Sequence, residues 1–155
     1  MKLSDFIKKY GDCEVTEEME KCIKKKGKWM PENREVYWFI DYYGNVMWAN
    51  WDNYNCDNYR RDFLRIFKTG AEAERYLEII RACKEASFEP DWENDKQYKY
   101  FFEWIDSDQE LDISFSFVCN NGCQFYFESK KIMKELINKF GEKNIAKCLF
   151  NIEID

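Results

Sequence analysis

The stretch FKTGAEAERYLEIIR, residues 67–81, decides how this chain is to be divided, because it returns sixty positions later as FESKKIMKELINKFG, residues 127–141. In that alignment Phe67-Lys68-Thr69 lies on Phe127-Glu128-Ser129. Ala73, Tyr76, Leu77 and Ile80 lie on Met133, Leu136, Ile137 and Phe140. Both sets follow the i, i+3, i+4, i+7 spacing that puts apolar residues on one stripe of a helix. Thr69 and Ser129 stand where N-caps belong, Thr69 with Glu72 makes a capping box, and Gly141 is placed to end the second helix.

Upstream of each helix the period changes from helical to alternating. VYWFID, a turn at Tyr43-Gly44-Asn45, VMWANW and DFLRIF precede the first helix; KYFFEWI, LDISFSFVC and CQFYF precede the second. Alternation of this kind marks half-buried antiparallel strands. The fold expected is therefore α+β: two β-β-β-α units with antiparallel sheets, each sheet covered by its own helix. The first unit spans 36–84 and the second 96–155 with a C-terminal extension, the two joined by a linker over 85–95 around Pro90. Short N-terminal helices over 1–35 come first: Ser4 caps one closed by Gly11, and Thr16 caps another closed by Gly27. The lysines at the end of that second helix complement its dipole. The whole is expected to form one compact domain.

SFSFVCNNGCQFYF, residues 114–127, sets two cysteines four apart around Asn-Asn-Gly. A two-residue Asn121-Gly122 turn would set Phe117 against a polar face. A three-residue turn with Gly122 in the left-handed position pairs 119 with 123, 117 with 125 and 115 with 127, and keeps apolar residues together. On that register Cys119 and Cys123 are opposed thiols acting as small buried hydrophobes, with a disulfide or redox pair as the alternative. A metal site would need two further ligands, and no second close cysteine pair exists. Seven scattered cysteines and an N-terminus without the apolar core of an export signal favour reduced thiols and a cytoplasmic protein. No apolar run is long enough for a membrane span.

The chain has no histidine, which removes the commonest general base and the commonest zinc ligand. It carries no P-loop, no dinucleotide-binding glycine pattern and no nucleophile elbow. The reading is a non-enzymatic protein without cofactor. The net charge of −6 is concentrated: residues 85–128 hold eleven Asp and Glu against two Lys, and the rest of the chain is slightly basic. Such a region repels long nucleic acid and attracts basic surfaces. Asp91, Glu93, Asp95, Asp106, Asp108, Glu110 and Asp112 are its candidate contact residues.

A second candidate is WDNYNCDNYRRD, residues 51–62, read as a loop longer than folding requires. Its Asn and Asp residues suit a loop. Trp51, Asp52, Tyr54, Asp57, Tyr59, Arg60 and Arg61 offer the residue types enriched at binding hot spots, or a stacking platform with a phosphate clamp for a small nucleotide. The alternative is that the tyrosines pack over the sheet edge and the arginines pair with nearby acids. Calcium is disfavoured by the missing glycine and glutamate of a calcium loop.

YGNVMWANWDN, DNYRRDF and FKTGAEAE resemble small uncharacterised proteins carried by phages, prophages and plasmids of Gram-positive bacteria, and the N-terminal LSDFIKKYGD is similar as well. The resemblance covers roughly residues 1–83, and the chain departs from it at LRIF, where Gly-Asn would stand before the Phe. It implies context rather than chemistry, since such proteins include inhibitors of host defence such as anti-CRISPR proteins. The expected function is accordingly an inhibitor that binds a basic host protein or ribonucleoprotein complex through its acidic surface. The alternatives are a nucleotide-sequestering protein, or a structural phage component or homo-oligomer that uses exposed aromatic strands.

Overall fold

The computed structural model describes residues 29–117 and 123–152, and Pro31–Asp155 forms one compact unit. The two N-terminal helices expected before residue 28 and the turn expected at 119–122 lie outside the described residues. The class is α+β: among the described residues there are two small antiparallel sheets and four helices.

The first sheet contains β1 (Val36–Ile40), β2 (Val46–Asn50) and β3 (Ile66–Phe67), in the order β2-β1-β3. Register follows the alternation of the sequence: Trp38 faces Trp48, Tyr37 faces Ala49, and Trp38 on its other side faces Phe67. The β1–β2 turn is closed by Asp41. Its Oδ1 accepts from the Tyr43 and Asn45 amides at 2.9 and 2.8 Å, and Gly44 takes φ +82°, a conformation that disfavours side chains.

Residues 51–62 are not the loop expected. Asn55–Phe63 is a helix, α1, lying between β2 and β3. It has no apolar stripe, so no periodicity betrayed it; its one fully buried side chain among those described is Asp57. α1 covers the Tyr37 and Phe39 face of the sheet. The opposite face, with Trp38, meets α2 (Gly70–Ala86). A Cβ on Gly70 would lie 3.1 Å from the Trp38 indole, so the helix start and the ring are in direct contact.

α2 begins as its sequence dictates. Thr69 Oγ1 accepts from the Glu72 amide at 3.2 Å, and Glu72 Oε2 accepts from the Thr69 amide at 3.3 Å. Its buried surface is wider than the predicted stripe. Ala73 is buried, and so is Cys83, which continues the stripe three residues beyond Ile80, but Ile79, which lies off it, is buried as well. The reason is that α2 is covered twice. One side rests on the first sheet, and the other joins the main core with Phe102, Leu111, Phe127, Met133, Leu136, Phe140, Ile145, Ala146 and Cys148. The helix is shared between halves, where the sequence suggested one helix per sheet.

The second half opens with β4 (Lys99–Ile105) and β5 (Glu110–Ser116), paired antiparallel with Phe102 opposite Ile113 and Tyr100 opposite Phe115. The expected pairing of 115 with 127 is not formed. Phe127 instead bridges Tyr100 on the far side of β4, exchanging backbone bonds of 2.8 and 3.1 Å. β4 buries side chains on both faces (Phe102 on one, Lys99 and Phe101 on the other), so burial is greatest when it takes the middle position. Tyr126, whose side chain alternates with those of Phe125 and Phe127, is buried too, against Phe101 and Trp92. β1 thus lies between β2 and β3, and β4 lies between β5 and the bridge at Phe127.

α3 (Lys130–Phe140) buries Met133, Leu136 and Phe140 as predicted. Ser129 Oγ accepts from the Ile132 amide, and Gly141 at φ +83° donates to Ile137 O at 2.7 Å. The C-terminal extension is a further helix, α4 (Glu142–Phe150), seated through Ile145, Ala146 and Cys148. Arg65 reaches from before β3 to donate to the α4 carbonyls of Lys147 and Cys148 at 2.5 and 2.7 Å, a cation at a helix C-terminus.

Candidate interaction surface

The residues singled out in 51–62 divide into a buried group and an exposed group. Trp51 and Asp57 are 5% and 2% exposed, so neither can offer its side chain to a partner. Trp51 packs edge-on to Tyr37 with ring centres 5.6 Å apart. Asp57 accepts from the Tyr37 hydroxyl at 2.7 Å and from the Asp52 and Tyr54 amides at 3.2 and 3.1 Å. Arg60 donates to the Tyr37 hydroxyl at 2.7 Å and lies over the Phe39 ring at 3.9 Å. Arg61 is bound by Asp62 at 2.6 Å.

The electrostatics of this network agree with its geometry. Burial, reinforced by the bond to the Asp57 carboxylate, pushes the Tyr37 hydroxyl up to about 12. Burial alone would raise Asp57. The bonds from Tyr37 and the two amides, with the Arg60 charge, outweigh burial and hold the carboxyl below its ordinary value. The segment therefore folds α1 onto the sheet, and the arginines pair with acids. Tyr54 and Tyr59 remain outward, 66% and 56% exposed. They are not gathered with Trp51 into a stacking platform, because Trp51 is inside.

The acidic residues are placed differently. Asp106, Asp108, Glu110 and Asp112 are all exposed at the β4–β5 turn or just beyond it. The turn is held by Trp104 Nε1 donating to Asp106 Oδ1 at 3.0 Å and Gln109 Nε2 donating to Asp106 O at 2.8 Å. Glu103 lies directly opposite Asp112 in the register and accepts from Ser114 at 2.6 Å, so all three share one face. Like charges directly opposed across a ladder are unfavourable. Among the described residues no Lys or Arg lies within ion-pair distance of any of these carboxylates.

Further along that face lie Lys99 and Phe101, and segment 85–97 covers them. It is not the plain linker expected. Phe88 donates its amide to Tyr126 O at 2.9 Å, Trp92 packs on Tyr126 at 5.2 Å, and Lys99 Nζ sits 5.2 Å from the Trp92 ring. Lys99 is fully buried and donates to the carbonyls of Asn94, Gln97 and Phe117 at 3.0, 3.1 and 2.9 Å. Those bonds match the three donors of its ammonium and fix the segment that carries Asp91, Glu93 and Asp95, all exposed.

The two acidic groups stand at opposite ends of one hairpin, whose strand β4 spans about 20 Å from Lys99 to Ile105. Glu103, opposite Asp112, lies between them. Neither Glu103 nor Lys99 was among the residues singled out from the sequence. The available signal was Glu103 interrupting the apolar run KYFFEWI, which marks the outward face once β5 is set against it.

Cys83 and Cys148 are buried free thiols, which burial pushes up to about 11 and about 12. Cys123 is partly buried, and burial with the nearby Glu103 charge raises it as well. None is an activated nucleophile. Among the described residues no group of three His, Cys, Asp or Glu is disposed to hold a metal ion, and no helix is long and apolar enough to cross a membrane. Comparison of the chain with protein-family models, curated proteins and solved structures gives no match.

Proposed function

We propose that this chain is a non-enzymatic binding protein that engages a basic partner through the outward face of the β4–β5 hairpin and the segment 85–97 beside it. The observation that carries the reading is the run of Glu103, Asp106, Asp108, Glu110 and Asp112, exposed and without a cationic partner among the described residues. A folded chain ordinarily spreads or pairs its charges; one that keeps like charges opposed gains from a partner that neutralises them. The resemblance of the first half to mobile-element proteins supplies the context: inhibition of a host defence or nucleic-acid-processing protein, or of a ribonucleoprotein complex, in the cytoplasm of a bacterial host.

Charge reversal tests the reading. Asp106, Asp108, Glu110 and Asp112 are changed together to Lys, and host proteins captured by the two forms are compared by mass spectrometry at low and high salt. The expected result is a basic protein retained by the wild type, released by salt and absent with the variant. Capture of the same proteins by both forms refutes the surface.

A further inference from the structure

We propose that β2 is a homodimerisation edge: two copies of the chain pair their β2 strands antiparallel about Trp48 into one continuous six-stranded sheet. In β1–β2 the bonds from Asp41 N–H to Asn45 O and from Trp51 N–H to Glu35 O make the odd-numbered residues of β2 the ones that face β1. The backbone donors and acceptors of Val46, Trp48 and Asn50 therefore point away from the sheet. β2 is an outer strand, and among the described residues nothing pairs with that side. Met47 and Trp48 are 45% and 59% exposed.

The other sheet edges are protected in ways that β2 is not. β5 carries Glu110 and Asp112, and Asp112 Oδ1 accepts from the Ile113 amide on the outer side at 2.7 Å. β3 has only two residues. Charge, short length and capped donors are the devices that keep edges from pairing. VMWAN has no charge, no proline and no glycine across five residues.

The occupant follows from self-complementarity. With a two-fold axis at Trp48, Val46 meets the partner copy's Asn50 and Met47 meets its Ala49, large against small, with about six new backbone hydrogen bonds. No charge repels another at this edge, although the chain as a whole carries −6. Over longer distances that repulsion is screened at physiological salt, where the Debye length is about 8 Å.

Sedimentation equilibrium at physiological salt, from nanomolar to high micromolar concentration, tests the proposal. The wild type is expected to move from 19.0 kDa to twice that mass. Trp48→Lys and Trp48→Glu, each of which opposes two like charges at the axis, stay at 19.0 kDa, and their equimolar mixture recovers the doubled mass. A wild type at 19.0 kDa throughout, variants that dimerise as the wild type does, or a mixture that stays monomeric overturns it. Should either variant lose its circular dichroism, hydrogen exchange on the wild type decides. Protection of the Val46, Trp48 and Asn50 amides that rises with concentration supports the edge, and protection independent of concentration refutes it.

Discussion

Asp57→Ala is the substitution that most directly probes how α1 is held on the sheet. Asp57 is 2% exposed, and its carboxylate accepts from Tyr37 Oη, Asp52 N and Tyr54 N, with a longer contact of 3.8 Å from Cys56 Sγ. Removing it leaves the Tyr37 O–H donor, on a residue with 0% exposure, without its acceptor while Arg60 still donates to the oxygen, which costs about 1–3 kcal/mol. It also frees amides at the helix start, which cost about 1 kcal/mol more by analogy with lost caps. The expected total is about 3 kcal/mol. Equilibrium urea unfolding should show it as a midpoint lowered by about 1.5 M at an unchanged slope, taking a slope of about 2 kcal/mol/M. Tyr37→Phe leaves the carboxylate with its amide bonds and Arg60, and should cost about 2 kcal/mol, as expected for a bond to a charged acceptor. Because the two side chains touch, the double variant should cost less than the sum by about 1–2 kcal/mol. A loss under about 1 kcal/mol for Asp57→Ala, or additivity within about 0.5 kcal/mol, would refute the claim that this network fastens the helix.

Three further outcomes follow from the packing. Gly70→Ala, usually favourable inside a helix, should destabilise by about 1 kcal/mol because its methyl group meets the Trp38 indole at 3.1 Å; thermal unfolding checks it, and a gain in midpoint would contradict the contact. Lys99→Met should cost about 2–3 kcal/mol by stranding the carbonyls of Asn94, Gln97 and Phe117, and hydrogen exchange should rise first in 91–97. At alkaline pH, Cys83, Cys148 and Tyr37 keep their protons up to about 11, 12 and 12, where the unfolded chain loses them near 9, 9 and 10. The folded state then binds more protons, so stability is full below pH 9 and falls as pH rises through 11 to 12. Unfolding midpoints measured across this range should decline more steeply for the wild type than for Cys148→Ala.

The elements written as local chemistry were legible without coordinates. Thr69 with Glu72, Ser129 and Gly141 mark helix ends because capping is a contact between residues three or four apart. The stripe of Met133, Leu136 and Phe140 and the alternation of β1, β2 and β5 announce their elements for the same reason. α1 was not legible, because a helix held by one buried carboxylate has no apolar period. The choice of neighbour was also beyond local pattern. LDISFSF alternates identically whether it pairs with 123–128 or with 99–105, and only competition for the middle of the sheet, won by a strand that buries side chains on both faces, separates the two.

The same division holds for the candidate surface. That negative charge gathers in 85–128 is a property of the chain and is read by counting. That Glu103 joins Asp112 on one outward face, that Lys99 spends its charge on three carbonyls rather than on those carboxylates, and that Trp51 and Asp57 turn inward are decided by tertiary structure. Each depends on residues far apart in sequence, such as Lys99 with Phe117 and Tyr37 with Asp57, which only the folded chain brings within hydrogen-bond reach.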